Sequence, residues 1–381
     1  MKSSLNTFDI NTISYLIDFF ESYKDYTLTK DEFLKIVNKE NLDLLDLVKL
    51  INIDNNEYIL ALGQESQKIT NMYFGRSILL YSPLYISNYC CNLCTYCGFS
   101  PLNFKGKREK LSIEQIKEEM LAIKETGIDS IIILTGEDRT HSPFDFISEA
   151  VKIAANIFSE VSIEVYPLSE EEYRSLVGNG LIGITIYQET YIEEDYQKLH
   201  LRGPKTNFLY RLQTPERAIN AGVKEVSIGA LLGLSNHKID AYLTVLHAKY
   251  LQDKYPKCEI SISFPRFKKE NINFNSKFNC SDKELLKYIF IARVFLKSVG
   301  INISTREKST LRDALIGYGV TKMSAGSKTT VGGYTKDSKN TKTPQFEVED
   351  TRGVDSIVQV IQNKGFRVDF TNWLKGALIN E

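Results

Sequence analysis

The sequence predicts an α/β fold in which eight parallel strands, each followed by a helix, close into a (β/α)8 barrel. Three observations favour it: short runs rich in β-branched residues recur along the chain, helix start signals follow them, and glycines end the helices. Strand, helix and glycine recur at the spacing of crossover units, which implies parallel strands. Eight units in succession favour a closed barrel over a doubly wound open sheet, and the length of 381 residues fits.

The predicted strands are apolar runs that begin just before a group of cysteines and continue towards the C-terminus. Such short β-branched runs are typical of strands. They cover residues 84–87, 130–134, 161–165, 183–187, 225–229, 259–263, 301–304 and, as a weaker candidate, 320–324.

Capping signals predict where the intervening helices begin and end. Thr214-Pro215 places a cap residue before a proline at the first helical position. The predicted capping boxes, in which side chains satisfy orphaned backbone donors, are Ser112-x-x-Gln115, Ser169-x-x-Glu172 and Ser281-x-x-Glu284. The predicted helix ends, at glycines that favour a left-handed C-cap, are Gly127, Gly180, Gly222 and Gly300.

Two extensions flank the predicted barrel, which covers residues 79–332. Residues 1–78 are predicted to form a helical N-terminal extension, in which Thr29-x-x-Glu32 caps a helix with an apolar face. Residues 333–381 are predicted to form a C-terminal extension that covers the barrel and contains an amphipathic segment near residues 357–361.

Composition and charge restrict the function classes. Lys and Arg total 47 against 48 Asp and Glu, so the formal charge of −1 gives no reason to expect nucleic acid or an anionic membrane as a partner. No apolar stretch approaches the ~20 residues that span a bilayer, and the N-terminus lacks the apolar core of a signal peptide. We therefore expect a cytoplasmic protein whose function depends on local chemistry.

Four of the six cysteines fall within eight positions, at Cys90, Cys91, Cys94 and Cys97. In a reducing compartment so tight a cluster indicates metal binding or thiol chemistry. Cys90, Cys94 and Cys97 form a C-x3-C-x2-C motif, whose thiolates can hold three corners of a cubane iron–sulfur cluster and leave one iron without a protein ligand. An open coordination position is typical of a catalytic metal rather than a structural one.

Structural zinc is the competing interpretation, and it needs four protein ligands. Cys91 does not easily supply the fourth, because adjacent residues point their side chains apart, and the four histidines are remote in sequence. A thioredoxin-like exchange site at Cys94-x-x-Cys97 leaves the third cysteine unexplained. The cysteine loop follows the first predicted strand, so it lies at the C-terminal rim, where barrels of this kind assemble active sites.

The motif C-x3-C-x-aromatic-C at this position resembles that of the radical S-adenosylmethionine (SAM) superfamily. Further blocks resemble more narrowly the 2-iminoacetate synthases, the tyrosine lyases of thiamine-thiazole synthesis. The resemblance runs from about residue 80 to the end of the chain. The blocks are LTGE at 134–137, SIEVYPLS at 162–169, YQETY at 187–191, GALLGL at 229–234, SFPR at 263–266, STRE at 304–307 and SAGSKT at 324–329.

The resemblance implies two cofactors, a [4Fe–4S] cluster held by Cys90, Cys94 and Cys97 and SAM chelated at the open iron. Glu164 lies inside an apolar strand, where a buried carboxylate needs a cationic or donor partner, and the resemblance implies that it faces the SAM site. The other residues implied in SAM binding are Tyr96 for adenine, Thr135, Gly136 and Glu137 for the amino group, Gln188 and Glu189 for the ribose and Arg211 for the carboxylate.

For an amino-acid substrate the sequence favours Arg306, which ends the seventh predicted strand beside Ser304. A guanidinium offers a planar fork to a carboxylate, and alternation places Glu307 on the opposite face. The resemblance implies an arginine here for the substrate carboxylate, with a serine of the last strand, for which Ser324 is the candidate. Arg266 is a candidate pocket residue, whereas the remaining side chains interpreted as structural are His200, His237, Cys258 and Cys280.

The resemblance also implies a reaction and its partners. Reductive cleavage of SAM yields methionine and a 5′-deoxyadenosyl radical, which removes a hydrogen atom from tyrosine, most readily from its amino group. The Cα–Cβ bond then breaks to give 2-iminoacetate and p-cresol. The implied protein partners are a thiazole synthase, which receives the readily hydrolysed imine, and an electron donor of the flavodoxin or ferredoxin type.

Three alternatives stay open on the sequence. The tyrosine lyase of [FeFe]-hydrogenase maturation shares most motifs, but it carries a second cysteine-ligated cluster in a C-terminal extension, and no cysteine follows Cys280 here. A tryptophan-cleaving relative is the second, because the motifs do not distinguish a phenol pocket from an indole pocket. A non-catalytic iron–sulfur or zinc scaffold is the third.

Overall fold

A computed structural model describes residues 5–268, 274–335 and 343–371. Its strands are β1 Ser77–Ser87, β2 Ser130–Thr135, β3 Glu160–Glu164, β4 Gly183–Glu189, β5 Glu225–Ala230, β6 Glu259–Ser263, β7 Gly300–Ile303, β8 Lys322–Ser324 and β9 Arg367–Asp369. Strands β1 to β8 pair in parallel with their sequence neighbours, and β8 returns to pair with β1. The ring therefore closes, which confirms the predicted barrel and excludes the open sheet.

Helices surround the ring and precede it. The four that come before the barrel are α1 Ile10–Tyr23, α2 Lys30–Val37, α3 Leu44–Ile51 and α4 Asn56–Phe74. The others are α5 Ile113–Lys124, α6 Phe144–Ala155, α7 Glu170–Gly178, α8 Glu193–Leu199, α9 Phe208–Leu212, α10 Thr214–Asn220, α11 His237–Lys254, α12 Asp282–Phe295, α13 Ser309–Leu315 and α14 Val354–Asn363. The four predicted capping boxes are all present, at the starts of α2, α5, α7 and α12.

Two strands differ from the prediction by more than two residues. β1 begins at Ser77 rather than at residue 84, and its residues alternate between buried and half-buried up to Leu84. Serines and Pro83 interrupt its apolar run, which hides the strand from a composition-based search. β9 was not predicted, because its three residues include Arg367 and Asp369; it pairs in parallel with the start of β1.

Two predicted helix boundaries are wrong. Gly300 does not end a helix but is the first residue of β7, since α12 already ends at Phe295. A Cβ at Gly300 would lie 3.0 Å from the Cβ of Ser261, so the glycine permits a close approach of neighbouring strands. Thr214 is not a cap but the first residue of α10, and its hydroxyl donates to the Tyr210 carbonyl at 3.1 Å. Gly127, Gly180 and Gly222 have the positive φ that the prediction requires.

The C-terminal segment crosses the end of the barrel at which the strands terminate. The Gln345 amide donates to the Thr329 carbonyl at 2.9 Å, and the Glu349 amide donates to the Thr305 carbonyl at 3.1 Å. We call residues 344–350 the strap. The predicted amphipathic segment is α14, which buries Val354, Ile357 and Ile361, whereas the predicted domain boundaries stay a prediction.

α4 packs on α12, and α3 packs on α11 and α12, so the N-terminal helices cover the outside of the barrel. Every residue of β5 is buried, as expected for a barrel strand with helices outside and side chains inside. No helix in the described part of the chain has the length and apolar character needed to cross a bilayer.

Candidate active site

The cysteine loop is fastened to its surroundings by main-chain hydrogen bonds. It follows β1, and the amide of Cys91 donates to the carbonyl of Glu137, just after β2, at 2.9 Å. The amide of Thr95 donates to the carbonyl of Leu199, at the end of α8, at 3.0 Å. Two neighbouring parts of the barrel therefore brace the loop, which limits the freedom of its thiols.

The three motif cysteines differ from Cys91 in exposure. Cys94 is buried and Cys90 and Cys97 are half-buried, whereas Cys91 is exposed. Burial, aided by the nearby Cys97, raises the pKa of the Cys90 thiol to about 11. Burial also raises the pKa of the Cys94 thiol, against the opposing charge of Lys205.

The spacing of these thiols is unlike that of a site for one metal ion. In the described residues, one trio of His, Cys and acidic side chains has all ligand atoms within 4.8 Å of one another, and it does not contain a motif cysteine. Zinc–sulfur bonds of about 2.3 Å allow sulfurs of one site to lie at most about 4.6 Å apart. A cluster that binds each thiolate at a separate iron tolerates wider spacing.

Thr135 ends β2, and Gly136 and Glu137 follow it beside this loop. The Gly136 amide donates to the Ser87 carbonyl at 3.1 Å. A Cβ on Gly136 would lie 2.3 Å from the Tyr89 carbonyl oxygen and 3.2 Å from the Cβ of Cys90. Only a glycine therefore lets the end of β2 approach the cysteine loop so closely.

Asn92, which sequence analysis did not single out as a site residue, orients the carboxylate of Glu137. Its amide nitrogen donates to Glu137 at 2.6 Å, and its amide oxygen accepts from the Lys205 backbone at 3.0 Å. A Cβ on Gly203 would lie 2.2 Å from that amide oxygen. Asn92 thus connects the cysteine loop to the segment that follows β2 and to the turn that carries Lys205.

A cavity opens between the cysteine loop and the ends of the strands, beneath the strap. Aromatic side chains from the strands form part of its wall, including Tyr85 and Tyr187. The sequence-predicted residues that line it are Tyr96, Cys97, Glu164, Glu189, Ser304, Arg306 and Ser324. A second opening on the other side of the loop is lined by Cys91, Glu137, Lys205, Arg211 and others.

The end of β4 directs its side chains to both sides of the barrel wall. Glu189 lines the cavity, whereas Gln188 is buried behind it and donates to the Phe208 carbonyl at 3.4 Å. Glu189 has a φ of 72° and forms an ion pair of 2.6 Å with Lys205. Burial acts to raise the pKa of Glu189, but Lys205 and Arg211 outweigh it and lower this pKa.

Two cations lie beside Glu189, of which the sequence analysis named Arg211 as a site residue but not Lys205. Arg211 is buried, donates to the Tyr187 carbonyl at 2.7 Å and lies 3.4 Å from Glu189, so it borders the second opening rather than the cavity. Lys205 lies in the turn that follows Gly203-Pro204, and no motif distinguishes it from an ordinary surface lysine.

Tyr96 is held by a histidine that sequence analysis interpreted as structural. The ring Nδ1 of His200 donates to the Tyr196 carbonyl at 2.7 Å, so its Nε2 accepts from the Tyr96 hydroxyl at 2.8 Å. Burial, aided by Lys205, lowers the pKa of His200 to about 3, which keeps the imidazole neutral. The phenol of Tyr96 is therefore fixed at its outer end while its ring faces the cavity.

Arg306 follows β7 and faces the cavity from the side opposite β3. The ring of Phe346, from the strap, lies 3.5 Å from its guanidinium carbon. Glu307 does not pair with it; that carboxylate accepts from Arg266, which does not line the cavity. The Ser304 hydroxyl accepts from the Arg306 amide at 3.3 Å.

Ser324 lies beside this group at the end of β8. Its hydroxyl accepts from the Thr305 amide at 2.9 Å, which fixes the turn that carries Arg306. Sequence analysis missed Phe346, because it lies in a strap without regular secondary structure and more than 20 residues beyond the last predicted strand.

Two family models match the chain. The Radical SAM superfamily model matches residues 84–246, which include the cysteine loop, and the Biotin and Thiamin Synthesis associated domain model matches residues 263–367. The two matches together take in all strand ends that line the cavity.

Individual relatives match over most of their length. The chain is 34% identical to the 2-iminoacetate synthase of Escherichia coli (strain K12) over 340 residues, which are 89% of each chain. It is 33% identical to the 2-iminoacetate synthase of Salmonella typhimurium (strain LT2), again over 89% of each chain. The solved structure of the FeFe-hydrogenase maturase HydG from Carboxydothermus hydrogenoformans is 32% identical, with a TM-score of 0.87 over 95% of this chain and 84% of that one.

Proposed function

The chain belongs to the 2-iminoacetate synthase family of radical SAM enzymes, as its motifs predict, and from this membership we propose that it cleaves L-tyrosine at the Cα–Cβ bond to give 2-iminoacetate and p-cresol for thiamine thiazole biosynthesis. It is an enzyme, a radical SAM carbon–carbon lyase. The observation that carries the proposal is that one cavity joins Cys97 of the cysteine loop to Arg306, a guanidinium without a carboxylate partner among the described residues.

The family implies a [4Fe–4S] cluster and SAM, and the residues present fit both. The thiols of Cys90, Cys94 and Cys97 share one braced loop and are spaced too widely for a single ion. Gly136 leaves the space beside Cys90 free of a side chain. Held by these residues, a [4Fe–4S] cluster and SAM would together supply a 5′-deoxyadenosyl radical for hydrogen-atom removal from the substrate.

The protein's own contribution to SAM binding is positioning. Tyr96 lines the cavity, and because its hydroxyl is fixed by His200, we assign its ring to stacking on the adenine. Glu137, held by Asn92, offers a carboxylate to the amino group beside the cysteine loop. Glu189 stays ionised because Lys205 pairs with it, and it is then an acceptor for ribose hydroxyls.

Arg306, Ser304 and Ser324 are assigned to the substrate carboxylate. A guanidinium gives two parallel hydrogen bonds to a carboxylate and so fixes its orientation as well as its charge. Phe346 covers one face of this guanidinium and leaves its edge for the substrate. Cleavage of the Cα–Cβ bond is favourable in tyrosine, because the phenol ring stabilises the departing benzylic radical.

The strap limits water access to the reacting atoms. The Tyr85 hydroxyl donates to the side chain of Gln345 at 2.7 Å, and Thr329 donates to the Phe346 carbonyl at 2.7 Å. A Cβ on Gly98 would lie 2.3 Å from the Gln345 carbonyl oxygen, so the strap also touches the cysteine loop. Exclusion of water protects a radical and a readily hydrolysed imine from side reactions.

Two protein partners complete the proposal. The imine product is short-lived in water, which calls for transfer to a thiazole synthase. Each turnover that releases p-cresol and 5′-deoxyadenosine would consume two electrons, one for the cleavage of SAM and one, with a proton, to reduce the hydroxybenzyl radical to p-cresol; we assign their supply to a flavodoxin- or ferredoxin-type donor.

Anaerobic incubation of reconstituted enzyme with SAM, a reductant and tyrosine tests the proposal. We expect p-cresol, methionine, 5′-deoxyadenosine and glyoxylate, the last from hydrolysis of 2-iminoacetate. Parallel incubations with tryptophan, and assays for carbon monoxide and cyanide, test the indole-cleaving and hydrogenase-maturation alternatives. SAM cleavage without p-cresol formation would overturn the proposed function.

A further inference from the structure

The cations that line the cavity are paired, with one exception. Lys205 lies 2.6 Å from Glu189, and Lys268 lies 2.7 Å from Glu349. Lys322 lies 2.7 Å from Glu160 and 3.2 Å from Glu225. The guanidinium of Arg306, by contrast, has only the Phe346 ring and the Arg266 carbonyl, at 3.5 Å, as partners in the described parts of the chain.

The carboxylates that line the cavity show the same pattern. Glu189 and Glu225 are held by the lysines above, and Glu347 is exposed on the strap and has interactions of its own. Glu164 makes no hydrogen bond or ion pair with any residue that the structure describes, although it lines the cavity. A carboxylate left in an enclosed space without a partner is costly unless a cationic group of a ligand meets it.

One unpaired guanidinium and one unpaired carboxylate in a single cavity are the ionic complement of an α-amino acid. We propose that Glu164 binds the α-ammonium group of the amino-acid substrate while Arg306 binds its carboxylate. This inference rests on the proposed function, and it moves Glu164 from the SAM site, where the family resemblance places it, to the substrate.

The barrel topology supports this pairing. Glu164 ends β3 and Arg306 follows β7, which is four strands away in a ring of eight, so the two side chains enter the cavity from opposite walls. Both side chains line the same cavity, and the charge of Arg306 acts to lower the pKa of Glu164. An α-amino acid in this cavity would have an oppositely charged side chain on each wall.

The same position suits Glu164 to accept a proton from the ammonium group. In this step an N–H bond breaks and a carboxyl O–H bond forms, which leaves a neutral amine next to the site of hydrogen-atom removal. Burial, with the charge of Glu189, raises the pKa of Glu164 to about 7, and a group titrating near neutral pH is suited to proton transfer. The groups that act on Glu164 are Glu189 of β4, Arg211 of α9, Arg306, Lys205 and the phenols of Tyr81, Tyr85 and Tyr187.

Two tyrosine analogues separate the two halves of the clamp. Tyramine keeps the ammonium group and lacks the carboxylate, whereas 3-(4-hydroxyphenyl)propanoate keeps the carboxylate and lacks the ammonium group. Binding of each to the SAM-loaded holoenzyme is measured for the wild type, Glu164→Gln and Arg306→Gln. A lost charged hydrogen bond corresponds to a rise in Kd of about 10- to 100-fold.

We expect Glu164→Gln to weaken tyrosine and tyramine by this factor and to leave the propanoate unchanged, and Arg306→Gln to do the reverse. Glu164→Asp should restore part of the tyramine affinity, while iron content and SAM-induced changes in the spectrum of the reduced cluster stay at wild-type values. Equal weakening of both analogues by Glu164→Gln would overturn the proposal, as would a selective loss of SAM binding.

Failure of this clamp is distinguishable from failure of the proposed function. If the wild type forms p-cresol while Glu164→Gln binds tyramine normally, the lyase assignment stands and the clamp is wrong. If the wild type forms no p-cresol, the analogue series is repeated with tryptophan, tryptamine and 3-indolepropanoate; the clamp predicts the same reciprocal pattern, and its absence overturns the clamp as well.

Discussion

Replacing Gly136 by alanine tests how closely β2 must approach the cysteine loop. The added Cβ would stand 2.3 Å from the Tyr89 carbonyl oxygen and 3.2 Å from the Cβ of Cys90. Ordinary contact begins near 3.4 Å, so the loop or the strand end must move by about 1 Å. The carbonyl oxygen of Tyr89 belongs to the main chain and the Cβ of Cys90 is bonded directly to it. Neither atom therefore moves as easily as the tip of a flexible side chain.

Such overpacking costs typically about 1–3 kcal/mol. Because the loop is anchored at Cys91 to the Glu137 carbonyl, the displacement also acts on the thiol of Cys90. We therefore expect Gly136→Ala to lower the melting temperature and to reduce iron and sulfide incorporation per chain. A movement of about 1 Å in a positioning element is enough to cost about 100-fold in rate, so SAM cleavage should fall by about that factor.

The matched control is Gly178→Ala, at the last residue of α7. A Cβ at Gly178 meets nothing within 4 Å, and alanine in a helix is favoured over glycine by about 0.5–1 kcal/mol. This variant should therefore hold a full complement of iron at an equal or higher melting temperature. A Gly136→Ala protein with wild-type iron content, melting temperature and SAM cleavage would refute the idea that this contact positions the cluster loop.

The remaining predictions concern the thiols, the substrate carboxylate and the proton. Cys94→Ala should lose the cluster and all SAM cleavage, whereas Cys91→Ala, at the exposed thiol, should keep both, as iron analysis and 5′-deoxyadenosine assays will show. Phe346→Ala removes the ring that lies 3.5 Å from the Arg306 guanidinium, so the KM for tyrosine should rise about 2- to 30-fold with SAM cleavage retained; an unchanged KM contradicts this role for the ring. Since the Glu164 pKa is about 7, its ionised form is lost as the pH falls, and tyrosine affinity should weaken about tenfold between pH 8 and pH 6; titration calorimetry on Glu164→Gln should show no such dependence.

The fold was largely predictable because each barrel unit carries its own local signals. Capping boxes at Ser112, Ser169 and Ser281 and glycines such as Gly127 depend on neighbours three or four positions away, and the structure confirms them. Gly300 was wrongly predicted to end a helix because the reason for a glycine here is not local: a Cβ at this position would crowd the side chain of Ser261 in the neighbouring strand. A pattern search along one chain segment does not see contacts of that kind.

The site shows the same division between local and long-range information. The positions of Glu164 and Glu189 at the ends of neighbouring strands follow from the strand pattern. Their difference does not, because Glu189 is neutralised by Lys205, which enters from a turn between α8 and α9.

Burial and partner choice therefore assign different tasks to two identical side chains. Glu189, with a cation beside it, has a lowered pKa, which favours the ionised form that accepts hydrogen bonds. Glu164, with no cationic side chain in bonding distance among the described residues, has a pKa of about 7 and is free to bind a cationic group of the ligand. Removing the charge of Lys205 should reduce the difference in pKa between the two carboxylates. We expect Lys205→Met to raise the pKa of Glu189 and to weaken SAM binding, while tyramine binding at Glu164 is kept. Loss of tyramine binding in that variant, with SAM binding intact, would show that the two carboxylates have been assigned the wrong way round.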